Sequence, residues 1–216
     1  NFKHNQNETI ATYGVLRGTG EILKKSNDFY YIDHGYIASS KRSFSQGSTL
    51  IKSLEGYFRV VKNDFVGFNK TNCDSKRLEE LSLKFKPIRK TGEFIILSEP
   101  SPHMVSFFEL KDWVTKTINV IKKYTDRKII VHNKFSEMPL DILLEKAWAF
   151  VSFQSNAGFK AMLEGVPAYF TYKNLKQINQ IENIESGKID YEIFKTLSYS
   201  QWTLKEMIDG QLNDYL

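Results

Sequence analysis

Asp33, His34, Gly35 and Tyr36 stand side by side after the apolar run of residues 28–32. An acid, an imidazole and a glycine suit catalysis when they fall at the carboxyl end of a strand in an α/β sheet. Asp33 could act as a general base, or it could fix the tautomer of His34 and leave the ring as the base. A purely structural role is equally open: Asp33 caps the turn and His34 lies on the surface. Arg17, Gly18, Thr19 and Gly20 form a glycine-rich turn after an earlier strand-like run, where a ligand can approach the backbone. The turn is neither a dinucleotide fingerprint nor a P-loop, and a plain tight turn is the commoner outcome. Arg59 sits in an aromatic and apolar run. Such an arginine is salt-bridged in the core or reaches out to an anion.

Residues 148–171 carry the densest pattern. A hydrophobic strand over residues 149–153 meets the polar turn Gln154-Ser155-Asn156, and a helix runs from Ala157 to about Glu164. Gly165 is placed to end it in a left-handed conformation, and Pro167 prevents its continuation. Unpaired N–H groups and the helix dipole make such a helix start a natural anion site. Ser155 can cap the helix and offer its hydroxyl to a phosphate, and Gly158 would let a ligand come close. Taken locally, an ordinary β-α-β turn explains the same residues.

These candidates need elements to hold them. Apolar runs predict strands over residues 9–16, 28–32, 55–62, 93–98, 127–132, 149–153 and 168–171. Helical periodicity fits residues 22–25, 74–83, 110–124, 139–147 and 157–164, and polar helices are expected over 174–185 and 189–197. Thr203 and Glu206 read as a capping box that opens a last helix, with Trp202 as a packing anchor. Residues 38–50 are Ser-rich and loop-like, and residues 87–92 look like a linker. In the second half, alternating strands and helices imply a parallel, doubly wound sheet whose ligand crevice lies at the strands' carboxyl ends. His103, His132, Ser155 and Asn156 all fall at that edge. The histidines lack metal-ligand spacing and have no carboxylate cluster beside them, so no metal is expected.

At 216 residues the chain can bury a sizeable core. Its net charge of +5 suits an anionic ligand or nucleic acid. The single Cys73 excludes an internal disulfide framework and fits a reducing, cytoplasmic setting. No apolar run of about 18 residues exists to span a membrane. The chain begins at Asn1 and not Met, so an upstream piece is conceivable. The sequons at residues 7–9 and 69–71 are expected to be chance.

The segment SNAGFKAMLEGVP, residues 155–167, is similar to the S-x-A-G-x-E-A-L-x-x-G-x-P signature of GT-B glycosyltransferases. The capsule-type, CDP-glycerol and Kdo-transferase-like members are the nearest in pattern. YGVLRGTGEI, YYIDHGYI, GYFRVVKN and LSYSQWTLKEMIDG further resemble small glycosyltransferase-like proteins of bacteriophages and marine viral metagenomes. The resemblance implies an α/β, GT-B-like fold of two Rossmann-like parallel-sheet domains with the cleft between them, the first domain minimal. Residues 1–90 would be the acceptor-side domain and 91–200 the nucleotide-sugar domain, with 201–216 a helix crossing back. Ser155, Asn156, Ala157 and Gly158 would hold the donor diphosphate, His103 would face it, and residues 132–138, from His132, would lie near the donor base. Lys160 replaces the acidic residue of the signature and would meet a phosphate, while Glu164 follows a turn later. Arg17, Gly18, Thr19, Gly20 and Arg59 would line the acceptor side, with Asp33 or His34 deprotonating the acceptor.

No cofactor is implied beyond a nucleotide-sugar donor, a UDP-sugar first among the candidates. The phage resemblance points to double-stranded DNA carrying hydroxymethylated pyrimidines as acceptor, with Lys41 and Arg42 on its phosphates, in a bacterial or phage-infected cell. The competing acceptor is a surface polysaccharide or lipid-linked glycan. A non-transferring sugar-nucleotide enzyme and a nucleotide- or DNA-binding module of the same fold remain open.

Overall fold

The computed structural model describes residues 8–16, 18–37, 45–46, 49–50, 55–67 and 73–215. In chain order the elements are β1 (Ile10–Tyr13), α1 (Thr19–Lys25), β2 (Phe29–His34), β3 (Ser45–Gln46), β4 (Thr49–Leu50), β5 (Tyr57–Lys62) and α2 (Lys76–Glu80). Then come β6 (Phe94–Ser98), α3 (Pro102–Phe107), α4 (Trp113–Ile121), β7 (Lys128–His132), α5 (Leu140–Leu144), β8 (Ala147–Ser152), α6 (Asn156–Leu163) and β9 (Ala168–Phe170). The series ends with α7 (Ile193–Ser198), β10 (Gln201–Thr203) and α8 (Leu204–Ile208). The chain is a mixed α/β protein of two compact units: Asn1–Ser82 with Glu192–Leu216, and Leu83–Tyr191. The division falls at Ser82/Leu83, not at residue 90, and residues 192–200 go with the first unit.

The first unit holds a four-stranded sheet in the order β1-β2-β5-β10. Only β1 and β2 are parallel; β2–β5 and β5–β10 are antiparallel. The expected wholly parallel first domain is therefore corrected to a mixed sheet. The physical reason was present in the sequence. A parallel neighbour needs a crossover, usually a helix, and the residues between β2 and β5 carry no helical period. One face packs Val60, Trp202 and Leu212 against Ile32 and Met207. Arg77 ties the two chain segments of this unit together. Its guanidinium lies over the Trp202 ring, 4.0 Å from the centroid, and donates to Ser198 O, Gln201 O and Glu206. Glu206 also closes the expected capping box with Thr203.

The second unit is the doubly wound half. Its sheet runs β7-β6-β8-β9, parallel throughout. Ile95, Ile96, Leu97, Phe150 and Val151 are all buried, the near-continuous apolar run of strands covered on both faces. Ile95, Leu97, Ala149, Val151 and Tyr169 pack against Trp113 and Ile121 of α4. On the opposite face α6 lies on β9, with the Phe159 and Phe170 rings stacked 5.0 Å apart. Gly165, at φ 79°, ends α6 in the left-handed conformation its position predicts.

Of the two helices expected after β9, the first is absent and the second is shortened to α7. Residues 174–185 form turns and one 3-10 helix, Ile181–Asn183, and the next helix begins only at Ile193. Side-chain amides bond the backbone here instead. Asn179 donates to Ala168 O and Lys188 O, and Gln177 to Asn174 O. Such local bonds compete with the helical ladder.

Candidate functional site

In the second unit β6 leads through α3 and α4 to β7 on one side, while β8 leads through α6 to β9 on the other. The neighbouring strands β6 and β8 thus part at a topological switch point, and the crevice outside their carboxyl ends is where open α/β sheets bind ligands. Ser98 closes β6 in register with both His132 of β7 and Ser152 of β8. His103 lies exposed in the first turn of α3. The structure therefore brings His103, His132 and the start of α6 to one sheet edge, as the sequence pattern predicts.

The turn from β8 into α6 is built by two serines. Buried Ser152 accepts the Ser155 N–H at 3.3 Å, and Ser155 Oγ accepts the Ala157 N–H at 3.3 Å. Ser155 has extended backbone angles and caps the eight-residue helix. Asn156 and Ala157 occupy its first turn, where N–H groups lack intrahelical acceptors. Nothing acidic stands in that turn. His132 Nε2 lies 3.1 Å from Met138 O, which pins the loop after β7.

Three expectations need amendment. Gly158 is buried against the sheet: a Cβ on it would meet Phe170 Cζ at 2.5 Å, so its smallness serves helix-on-strand packing and not ligand approach. Lys160 is paired with Asp141 of α5, and Glu164 with Lys86. Both are exposed pairs, of little energetic consequence.

Gln154 stands first in the same polar turn. It is only 8% exposed, and its Oε1 finds no hydrogen-bond partner. Among the described residues of the second unit it is the one orphaned buried side-chain polar atom. Nothing in the sequence distinguishes Gln154 from any other polar turn residue; only its burial does. A separate cavity of about 530 Å³ lies between α4 and the segment after β9, bordered by Trp113, Lys116, Phe170, Lys176 and Gln180.

In the first unit Asp33 and His34 end β2, as expected, but their side chains leave opposite faces of the sheet. Asp33 accepts from Arg59 at 2.9 Å, from the Tyr31 hydroxyl at 2.7 Å and from the His34 backbone N–H at 2.8 Å. The Tyr13 hydroxyl lies 3.5 Å from His34 Nε2 on the other face. Asp33 therefore does not orient the His34 ring. Burial opposes the charge on Asp33, yet Arg59, Tyr31 and the His34 N–H outweigh it and hold the carboxyl below its ordinary value. A carboxylate so stabilised is a weak base.

Arg59 is the salt-bridged core arginine and not an arm into solvent: it is 6% exposed, between the Tyr31 and Tyr36 rings. Asp33, Arg59 and Gln201 pair across β2, β5 and β10, and Thr12 pairs with Tyr31, so all share one face. On it Thr12 Oγ1, Arg59 Nε and Nη1, and Gln201 Nε2 lack hydrogen-bond partners among the described residues. Gly18, Thr19 and Gly20 build the entry to α1; Thr19 Oγ1 donates to Leu16 O and Gly14 O, and Gly20 is buried. That makes them a tight turn in this structure. Arg17, Lys41, Arg42 and both sequons include positions outside the described residues. Among the described residues no cluster of His, Cys, Asp and Glu could hold a metal ion, and no helix is long and apolar enough to cross a membrane.

No protein-family profile matches the chain, and no curated protein sequence does. Among solved structures it is similar to Thermosulfurimonas dismutans KpsC, a beta Kdo 2,7 transferase, at 11% identity and a TM-score of 0.41. That likeness covers 96% of this chain and 86% of the other.

Proposed function

We propose that the chain is a glycosyltransferase of GT-B type that binds a nucleotide-sugar donor at the carboxyl edge of the second unit's sheet. One observation carries the proposal. The SNAG segment that resembles the family signature is the Ser-capped start of α6, and it stands at the switch point of a parallel sheet. The first-turn N–H groups of α6 and the Ser155 hydroxyl take the donor diphosphate. His103 offers a ring N–H to the diphosphate as it leaves. His132 and the loop it pins face the nucleoside. The acceptor-activating role falls to His34, because Asp33 is committed to Arg59. The reaction as proposed uses no metal, so turnover should survive EDTA.

Thermal stabilisation by UDP-, GDP-, CMP- and dTDP-linked sugars tests the donor site, UDP-sugars first. A donor at 100 times its dissociation constant should stabilise the fold by about 2.7 kcal/mol. No shift with any of them sinks the proposal. His34→Gln should abolish transfer while preserving the donor-induced shift; an unchanged rate removes His34 from the mechanism. For the acceptor, DNA bearing hydroxymethylated pyrimidines comes first, on the net charge of +5. DNA affinity that does not weaken with salt would leave a glycan hydroxyl as the acceptor.

A further inference from the structure

Burying a polar atom without a partner is costly, and native structures contain few such atoms. In the second unit that cost is concentrated at one place, the Oε1 of Gln154. Its position is not arbitrary. Gln154 lies between the last residue of β8 and the N-cap of α6, at the sheet's switch point. Its neighbours are satisfied: Ser152 and Ser155 bond each other and the helix start.

We infer that Gln154 is a specificity-determining residue, an acceptor held for a hydroxyl or N–H of the ligand that binds at α6. This rests on the donor-site proposal and sharpens it. The helix start and Ser155 supply hydrogen-bond donors, which suit phosphate oxygens. An amide oxygen does the opposite: it repels phosphate oxygens and calls for a donor group. A ligand that satisfies both must carry a hydroxyl or N–H close to its anion, as a sugar, ribose or base does and a bare inorganic anion does not. Oε1 is sealed from solvent, so ligand binding draws the amide outward. The unsatisfied packed position lowers the cost of that movement. Sites that reject analogues lacking a hydroxyl or N–H work in this way, through a buried polar group left unpaired by the wrong ligand.

The test uses the full chain and Gln154→Met, which keeps the length of the side chain and removes its acceptor. In the absence of ligand the variant should melt at the same temperature or higher, because an orphan is removed and no bond is lost. Its affinity for the nucleotide or nucleotide sugar that stabilises the wild type should fall about tenfold, the value of one lost hydrogen bond. Sulfate, which at neutral pH only accepts hydrogen bonds, should affect both proteins alike. A variant that binds the nucleotide as well as the wild type overturns the role of Gln154 and leaves the donor site standing. A variant that is clearly less stable without ligand also overturns it, since Gln154 would then be structural. If no nucleotide shifts even the wild type, the donor-site proposal fails and this inference with it.

Discussion

Asp33 and Arg59 lie 26 positions apart and meet only in the folded sheet, where the buried guanidinium and the half-buried carboxylate make an ion pair at 2.9 Å. Asp33→Ala would leave the guanidinium buried without a counter-charge, and it should cost roughly 3 kcal/mol in urea denaturation. The double variant Asp33→Asn with Arg59→Met should recover much of that loss, because neither side chain then carries a charge to desolvate. The pair also sets a pH dependence. The Asp33 carboxyl is held below its ordinary value, so its contribution is complete at neutral pH and is lost as pH falls through the depressed folded-state value. Asp33→Asn should flatten the loss of stability between about pH 5 and about pH 2; an unchanged acid limb would assign that loss to other carboxylates. At this scale the sequence was partly legible. It supplied the residue types at the sheet edges and left the role of each open, because a partner across a sheet has no local signature. Gln154 was illegible for the same reason: burial without a partner is a property of the packed neighbourhood.

The β8-α6-β9 element is the part read most fully in advance. Its strand, cap, helix and left-handed stop each have a local cause, so the sequence around residues 147–170 suffices to predict them. Yet the purpose of Gly158 depends on Phe170, a residue of the next strand. Gly158→Ala therefore reverses a familiar sign. Alanine inside a helix ordinarily gains about 1 kcal/mol over glycine. Here the new methyl group collides with the Phe170 ring, and the variant should lose about 1–3 kcal/mol. Adding Phe170→Leu should restore most of it; a stabilised single variant would show that the ring can move aside. Ser155→Ala should cost about 1 kcal/mol through the lost cap, with donor affinity falling in parallel. Less was legible after β9. The Asn- and Gln-rich stretch has helical composition but spends its side-chain amides on the backbone, and β10 is too short for a periodic signal.

On the scale of the molecule, the second unit is continuous in sequence and the first is not. The sheet of the first unit ends on β10, which pairs with β5 through Gln201↔Arg59, Trp202↔Phe58 and Thr203↔Tyr57. Residues 83–191 expressed alone should give a cooperative urea transition, whereas residues 1–82 alone should not. Adding residues 192–216 as a separate peptide should restore structure to the latter; a cooperative transition without it would show that β10 is dispensable. This discontinuity also fixes an order of events on the ribosome. The stretch 83–191 emerges from the exit tunnel ahead of β10, so the segment made second can fold first, and the segment made first must wait with the β5 edge uncovered. A nascent chain held with residue 191 just outside the exit tunnel would carry one finished unit and one open strand. It is at that moment that a holding chaperone would be needed.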